Sequence, residues 1–204
     1  MPAKCIKFVL KLLLLNDDTC NLSCLNQVNL LSIFKHTYHL QNMKTNIGIS
    51  DSNSEAVAFQ LNKLLANEFV LYTKTRNYHW NISGMHFFEL HKLFEGQYEQ
   101  LQVIMDDIAE RIRAIGHYSE ARLVDILKLT DLLEQEYTND EKIQLNNLLD
   151  DHETIIRILR NLVTEFADTH KDLGSSDYVT GLLREHEKMA WMLRAFSRAC
   201  TILL

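Results

Sequence analysis

Proline is all but missing from this 204-residue chain: Pro2 is the only one, and glycine is held to six. From residue 3 onward no residue of the proline kind interrupts a helix, and the abundant Leu, Glu, Lys, Arg and Gln favour helix. An excess of positive charge is missing too. With 21 Lys+Arg against 27 Asp+Glu the formal net charge is −6, which excludes general attraction to nucleic acid or anionic membrane and suits a chain that draws in cations. No apolar run approaches the roughly 20 residues of a membrane span; the run from Phe8 to Leu15 is short and Lys11 interrupts it. Three of the four cysteines (Cys5, Cys20, Cys24) fall in the first 42 residues, leaving Cys200 alone. That pattern gives no disulfide framework and points to a reducing, cytoplasmic setting. No Glu-x-x-His pattern occurs anywhere, which counts against a two-metal site built from that motif inside one helical bundle.

Residues 1–42 differ from the rest. Lys4 and Lys7 before the apolar run have some flavour of a signal peptide, but no small-residue cleavage site follows closely. The better reading is an N-terminal extension, poorly ordered or upstream of a natural start at Met43. Residues 43–204 then form the folded domain.

What is present is helical periodicity. Apolar residues make up 47%, enough for a core. Ser52-Asn-Ser-Glu55 reads as a capping box opening helix A, which runs to about His79 with Leu61, Leu64, Leu65, Tyr72 and Thr75 on one face. Asn81 to Gly84 is a turn, and helix B runs from Phe87 to Ile115 with Gly116 as its stop. A connection over 117–137 holds a short amphipathic piece, Ala121 to Leu129. Thr138-Asn-Asp-Glu141 is a second capping box, opening helix C with its stripe from Leu145 to Phe166. Ser175 or Ser176 caps helix D, which follows Gly174. Two helices, a longer crossover and two more helices predict an all-α four-helix bundle with a short extra helix in the B–C crossover.

The informative residues lie on helix B. His91 and Glu95 are four apart, as are Asp106 and Glu110, so each pair shares a face. At ~100° per residue the four fall within an arc of about 100°, centred about 140° from the apolar stripe of Leu90, Phe94, Leu101, Ile104, Ile108 and Ile112. They face away from their own core. A solvated charged face is the bland account, but Phe88 and the small Ala109 on that face invite another helix. The two pairs also lie roughly 22 Å apart along the axis, so one helix cannot bring both to a single metal. A second copy can. In an antiparallel two-fold pair of B helices, residues meet when their numbers share a constant sum. His91 with Glu110 and Glu95 with Asp106 share the same one. One register therefore builds two identical sites per dimer.

His79, at the end of helix A and beside the His91 end of helix B, supplies a further ligand. Two imidazoles and three carboxylates with open positions suit Fe(II), and the anionic ligands stabilise Fe(III) as it forms; zinc or manganese could take the same ligands.

The stretches from Lys74 to Gly84, from Phe87 to Glu95 and from Met105 to Arg113, with the ending His186 to Phe196, closely resemble the Dps family (DNA-binding proteins from starved cells) of the ferritin superfamily. The resemblance covers essentially residues 43–204. It implies that His79, His91, Glu95, Asp106 and Glu110 are ferroxidase ligands, with room for two metals; Glu95 stands where the family often has Asp. It implies a hollow dodecamer of two-fold dimers that takes Fe(II) through acidic three-fold pores. The iron is oxidised, preferably by hydrogen peroxide, and stored as ferric mineral under stress. Asp168, Asp172 and Asp177 are pore candidates. Direct DNA binding, the alternative role, is expected to be weak, because Lys4, Lys7, Lys11, Lys35 and Lys44 make a sparse basic tail. His152 and His186 read as hydrogen-bonded core histidines, Trp80 as packing near a helix end, and Glu68 as a residue beside the site or at an interface.

Overall fold

The computed structural model describes residues 45–199, with side chains to Phe196. The expectations for residues 1–42, and for Cys200, lie outside the described residues. All regular structure among the described residues is helical: α1 (Asp51–Asn81), α2 (Phe87–Ala114), α3 (Leu123–Leu129), α4 (Glu141–Thr164), a π-helical turn (Glu165–Thr169) and α5 (Leu173–Ala199). The architecture is a four-helix bundle. α1 pairs with α2 and α4 with α5, and the crossover carries α3 against α1. No described helix is long and apolar enough to cross a membrane.

The four long helices close on one core. Leu61, Leu64, Leu65 and Leu71 of α1, Leu90, Phe94, Leu101 and Ile108 of α2, Leu145, Leu148, Ile155 and Leu159 of α4, and Val179, Met189 and Leu193 of α5 are all buried. The 3.6-residue stripes place them there, and their burial rather than intrinsic propensity holds helices of 24 to 31 residues together.

The caps of α1 and α4 fall two residues from where the capping-box pattern put them. Ser50, not Ser52, caps α1, accepting from the Asn53 amide at 3.3 Å. Asp140, not Thr138, caps α4, accepting from the Ile143 amide at 2.9 Å; the Thr138 hydroxyl instead accepts from the Asp140 amide. Asp172 takes the role assigned to Ser175 or Ser176. Its carboxylate accepts from both the amide and the hydroxyl of Ser175 (2.9 and 2.6 Å) and from Arg111 Nη2 (3.2 Å). Gly174 lets that arginine in: a Cβ there would sit 2.9 Å from Arg111 Nη2.

A line of polar groups crosses the core. Glu68, His152 and His186 are each fully buried. Glu68 Oε1 lies 3.0 Å from His186 Nε2, and His186 Nδ1 lies 3.0 Å from His152 Nδ1. Both histidines are thus core residues, and Glu68 faces the chain's own interior rather than a site or an interface. Burial first, then the neighbouring His186, holds the His152 pKa well below the ordinary 6.5. The unfolded chain therefore takes up a proton near pH 6.5 that the folded chain refuses. Stability is complete above that value and falls with pH below it, by about 1.4 kcal/mol per pH unit until His152 titrates in the fold. Denaturant midpoints at pH 7.5 and 5.5 are expected to drop further in wild type than in His152→Leu; equal drops would show that His152 does not set this acid sensitivity.

Candidate metal centre

α1 ends in a turn in which Gly84, at φ +120°, reverses the chain so that α2 starts beside the end of α1. This places His79, in the last turn of α1, against His91 of α2. The two residues exchange hydrogen bonds: His79 Nδ1 reaches the His91 carbonyl and His91 Nδ1 the His79 carbonyl, both at 2.9 Å. A carbonyl oxygen only accepts, so each Nδ1 carries the proton and each Nε2 keeps its lone pair for a metal. The His79 carbonyl is among the last of α1, which lack a helical donor, so the His91 ring also satisfies a helix end. The two imidazoles stack 3.7 Å apart at 21°, with Phe87 stacked beyond His91 at 5.0 Å and Tyr98 edge-on to His79 at 5.1 Å.

Glu95 lies one turn after His91 and is partly covered. Lys92 Nζ sits 2.5 Å from its carboxylate. That hydrogen bond, joined by the Lys92 charge, holds the Glu95 pKa below the usual carboxylate range. Glu95 is thus an anion beside two imidazoles.

Asp106 and Glu110 are exposed, about 22 Å and about 28 Å along α2 from His91 by helical rise. Neither has a hydrogen-bond or ion-pair partner among the described residues, so both carboxylates are open to an external group. His79, His91 and Glu95 gather at one end of the α2 outer face, and Asp106 and Glu110 stand apart at the other. Among the described residues no three His, Cys, Asp or Glu of one chain are arranged to hold a metal ion.

Of the pore candidates, Asp168 and Asp177 are exposed. Asp172 is 2% exposed and spent on Arg111 and Ser175, so it is no pore residue. Trp80 is exposed at 65%, its ring beside the Arg76 guanidinium at 5.4 Å. Sequence reasoning missed Arg76, Tyr98 and Lys92; their signal was helical spacing from the two histidines, one turn before His79, two turns after His91 and one residue after it.

A model of the ferritin-like domain matches residues 59–201. The chain is 38% identical over 136 residues to DNA protection during starvation protein 2 of Bacillus anthracis, which covers 67% of this chain and 92% of that one. It is also similar in structure to the Dps protein of Vibrio cholerae O1, described as one of a broad superfamily of ferritin-like diiron-carboxylate proteins. That likeness has 37% identity and a TM-score of 0.71, over 76% of this chain and 97% of the other. The chain belongs to the Dps family of the ferritin superfamily. Among further Dps relatives, that of Bacillus brevis superposes with a TM-score of 0.66 at 32% identity, over 72% of this chain and 99% of its own. A low temperature-induced protein of Nostoc is 40% identical over 75% of this chain and 86% of its own length.

Proposed function

We propose that this Dps protein is a ferroxidase and iron store whose centre is completed between two subunits. His79, His91 and Glu95 come from one chain, and Asp106 and Glu110 from a two-fold mate docked antiparallel along α2. The observation that carries the reading is the reciprocal His79–His91 pair, which fixes two Nε2 lone pairs beside an anionic Glu95. The other half stands at the opposite end of the same helix face, without a side-chain partner among the described residues. The complementary spacing lets one two-fold axis join both halves twice.

Fe(II) is the substrate. Imidazole nitrogens suit the ferrous ion, and the carboxylates favour the ferric ion as charge develops, which lowers the barrier to electron loss. With hydrogen peroxide as oxidant, each of two ferrous ions gives up one electron, the O–O bond breaks, and hydrolysis of the ferric product releases protons as mineral forms. Consuming Fe(II) and peroxide together removes the reactants of hydroxyl-radical chemistry. The same reading takes the assembly to be a cytoplasmic dodecamer built from these dimers, with exposed Asp168 and Asp177 near the iron entry. The net charge of −6 and the sparse basic tail make DNA a weak ligand beside iron.

The direct test adds Fe(II) and then peroxide to the purified protein and follows ferric absorbance. A fast rise with iron retained on gel filtration is expected; protein that leaves the rate at that of buffer alone would reject the reading.

A further inference from the structure

We infer that Arg76 is a positioning residue for His79, acting through the Tyr98 ring; the inference rests on the proposed centre. Arg76 lies one turn before His79 on α1. Its guanidinium carbon stands 5.1 Å from the Tyr98 ring centroid, 5.4 Å from that of Trp80 and 5.7 Å from that of Tyr72. Nη1 donates to the Tyr72 hydroxyl, while the buried Nε has no acceptor among the described residues. Among the described residues no carboxylate pairs with this cation. Its counter-charge is supplied by the faces of three aromatic rings, whose quadrupoles are negative at the face.

The ring it approaches most closely is the one that touches the centre. Tyr98 stands perpendicular to Tyr72 (6.3 Å, 88°) and meets His79 edge-on at 5.1 Å and 77°. His79 is therefore gripped on two sides, by Tyr98 and by the His91 stack at 3.7 Å. The Nδ1 hydrogen bond to the His91 carbonyl fixes one point of the imidazole, and the two ring contacts fix its plane. The plane decides where the Nε2 lone pair points, and so whether it meets a metal shared with a second chain. Arg76 sets that plane at one remove by keeping Tyr98 from rotating away.

The test uses Arg76→Met, which keeps the aliphatic stem and removes the cation, Tyr98→Leu, the double variant, and Arg76→Lys, which returns a cation. Co(II) titration reads both affinity and, through its visible bands, ligand geometry, without any turnover. Arg76→Met and Tyr98→Leu are each expected to weaken Co(II) binding about tenfold, the scale for groups that orient a ligand, and to shift the bands. The double variant should be little worse than either single change, because both act along one path. Arg76→Lys should recover most of the affinity, with helix content and assembly unmoved throughout. Wild-type affinity and bands in Arg76→Met, or losses that simply add, would overturn the inference. A wild-type Co(II) spectrum untouched by His79→Ala/His91→Ala would overturn the centre itself, a result the Arg76 variants alone cannot give.

Discussion

Two crippled subunits are expected to repair each other. Alone, His79→Ala/His91→Ala protein lacks the imidazole half of every centre and Asp106→Ala/Glu110→Ala protein lacks the carboxylate half. Each should lose peroxide-driven iron oxidation by at least about tenfold, the lower bound expected when groups that bind the metal, rather than those that orient them, are removed. Assembly of the Asp106→Ala/Glu110→Ala protein should survive, because both residues are exposed and make no side-chain hydrogen bond or ion pair among the described residues. Gel filtration checks that the His79→Ala/His91→Ala protein, which loses two hydrogen bonds at the end of α1, assembles as well. When the two proteins are dissociated, mixed in equal amounts and reassembled, about half of the dimers hold one subunit of each kind. In such a dimer one centre has lost both halves. The other draws intact imidazoles from one chain and intact carboxylates from its mate. Activity should return to about a quarter of wild type. A centre contained in one chain could never be rebuilt by mixing, so recovery no greater than the average of the two parents would defeat the shared site whatever the wild-type rate.

The stripes that form the core and the outward face of α2 were legible from periodicity, because a helix converts spacing along the chain into direction. Leu90, Phe94, Leu101 and Ile108 are buried where a 3.6-residue repeat puts them. His79 and His91 could be brought together from the turn between them, though their exchange of Nδ1 hydrogen bonds could not: that depends on ring rotations, which spacing does not encode. Helix starts were less legible. Ser50, Ser52 and Ser54 all have the chemistry of a cap, and only the backbone at Ser50, extended at φ −68° and ψ 150°, settles which one acts. Contacts across the bundle were the least legible. Glu68 looked like a residue of the His79 stripe and in fact meets His186, on the last helix, in the core. Asp172 resembled other exposed acids at helix ends until Arg111, from a different helix, buried it. Polar residues carry no sign of which partner, if any, will pay for their burial.

The largest stability effect is expected at Lys74. Its ammonium lies 2.5 Å from the Asp151 carboxylate, joining α1 to α4, with both side chains less than a tenth exposed. It also donates to the Leu133 carbonyl at 2.7 Å, which ties the crossover to the bundle. Burial raises the Asp151 pKa above its ordinary 3.8, and the Lys74 hydrogen bond and charge are what oppose it. Lys74→Met removes that opposition and leaves a carboxylate in the interior with no cation. The cost should be about 3–5 kcal/mol, the range for breaking one side of a buried pair. Asp151→Asn in the same background should recover much of it, since a neutral amide is far less costly to bury than an orphaned charge. The pH dependence follows from the sign of the shift. In Lys74→Met the folded state holds a proton on Asp151 more tightly than the unfolded state, so the variant gains stability as pH falls through the raised value, and the gain levels off near 3.8. Denaturant midpoints, taken at one protein concentration because assembly contributes to them, should therefore separate the variant from wild type most at neutral pH and least in acid. A gap that stays constant with pH would mean that the lysine stabilises the bundle through the Leu133 carbonyl and its packing rather than through Asp151.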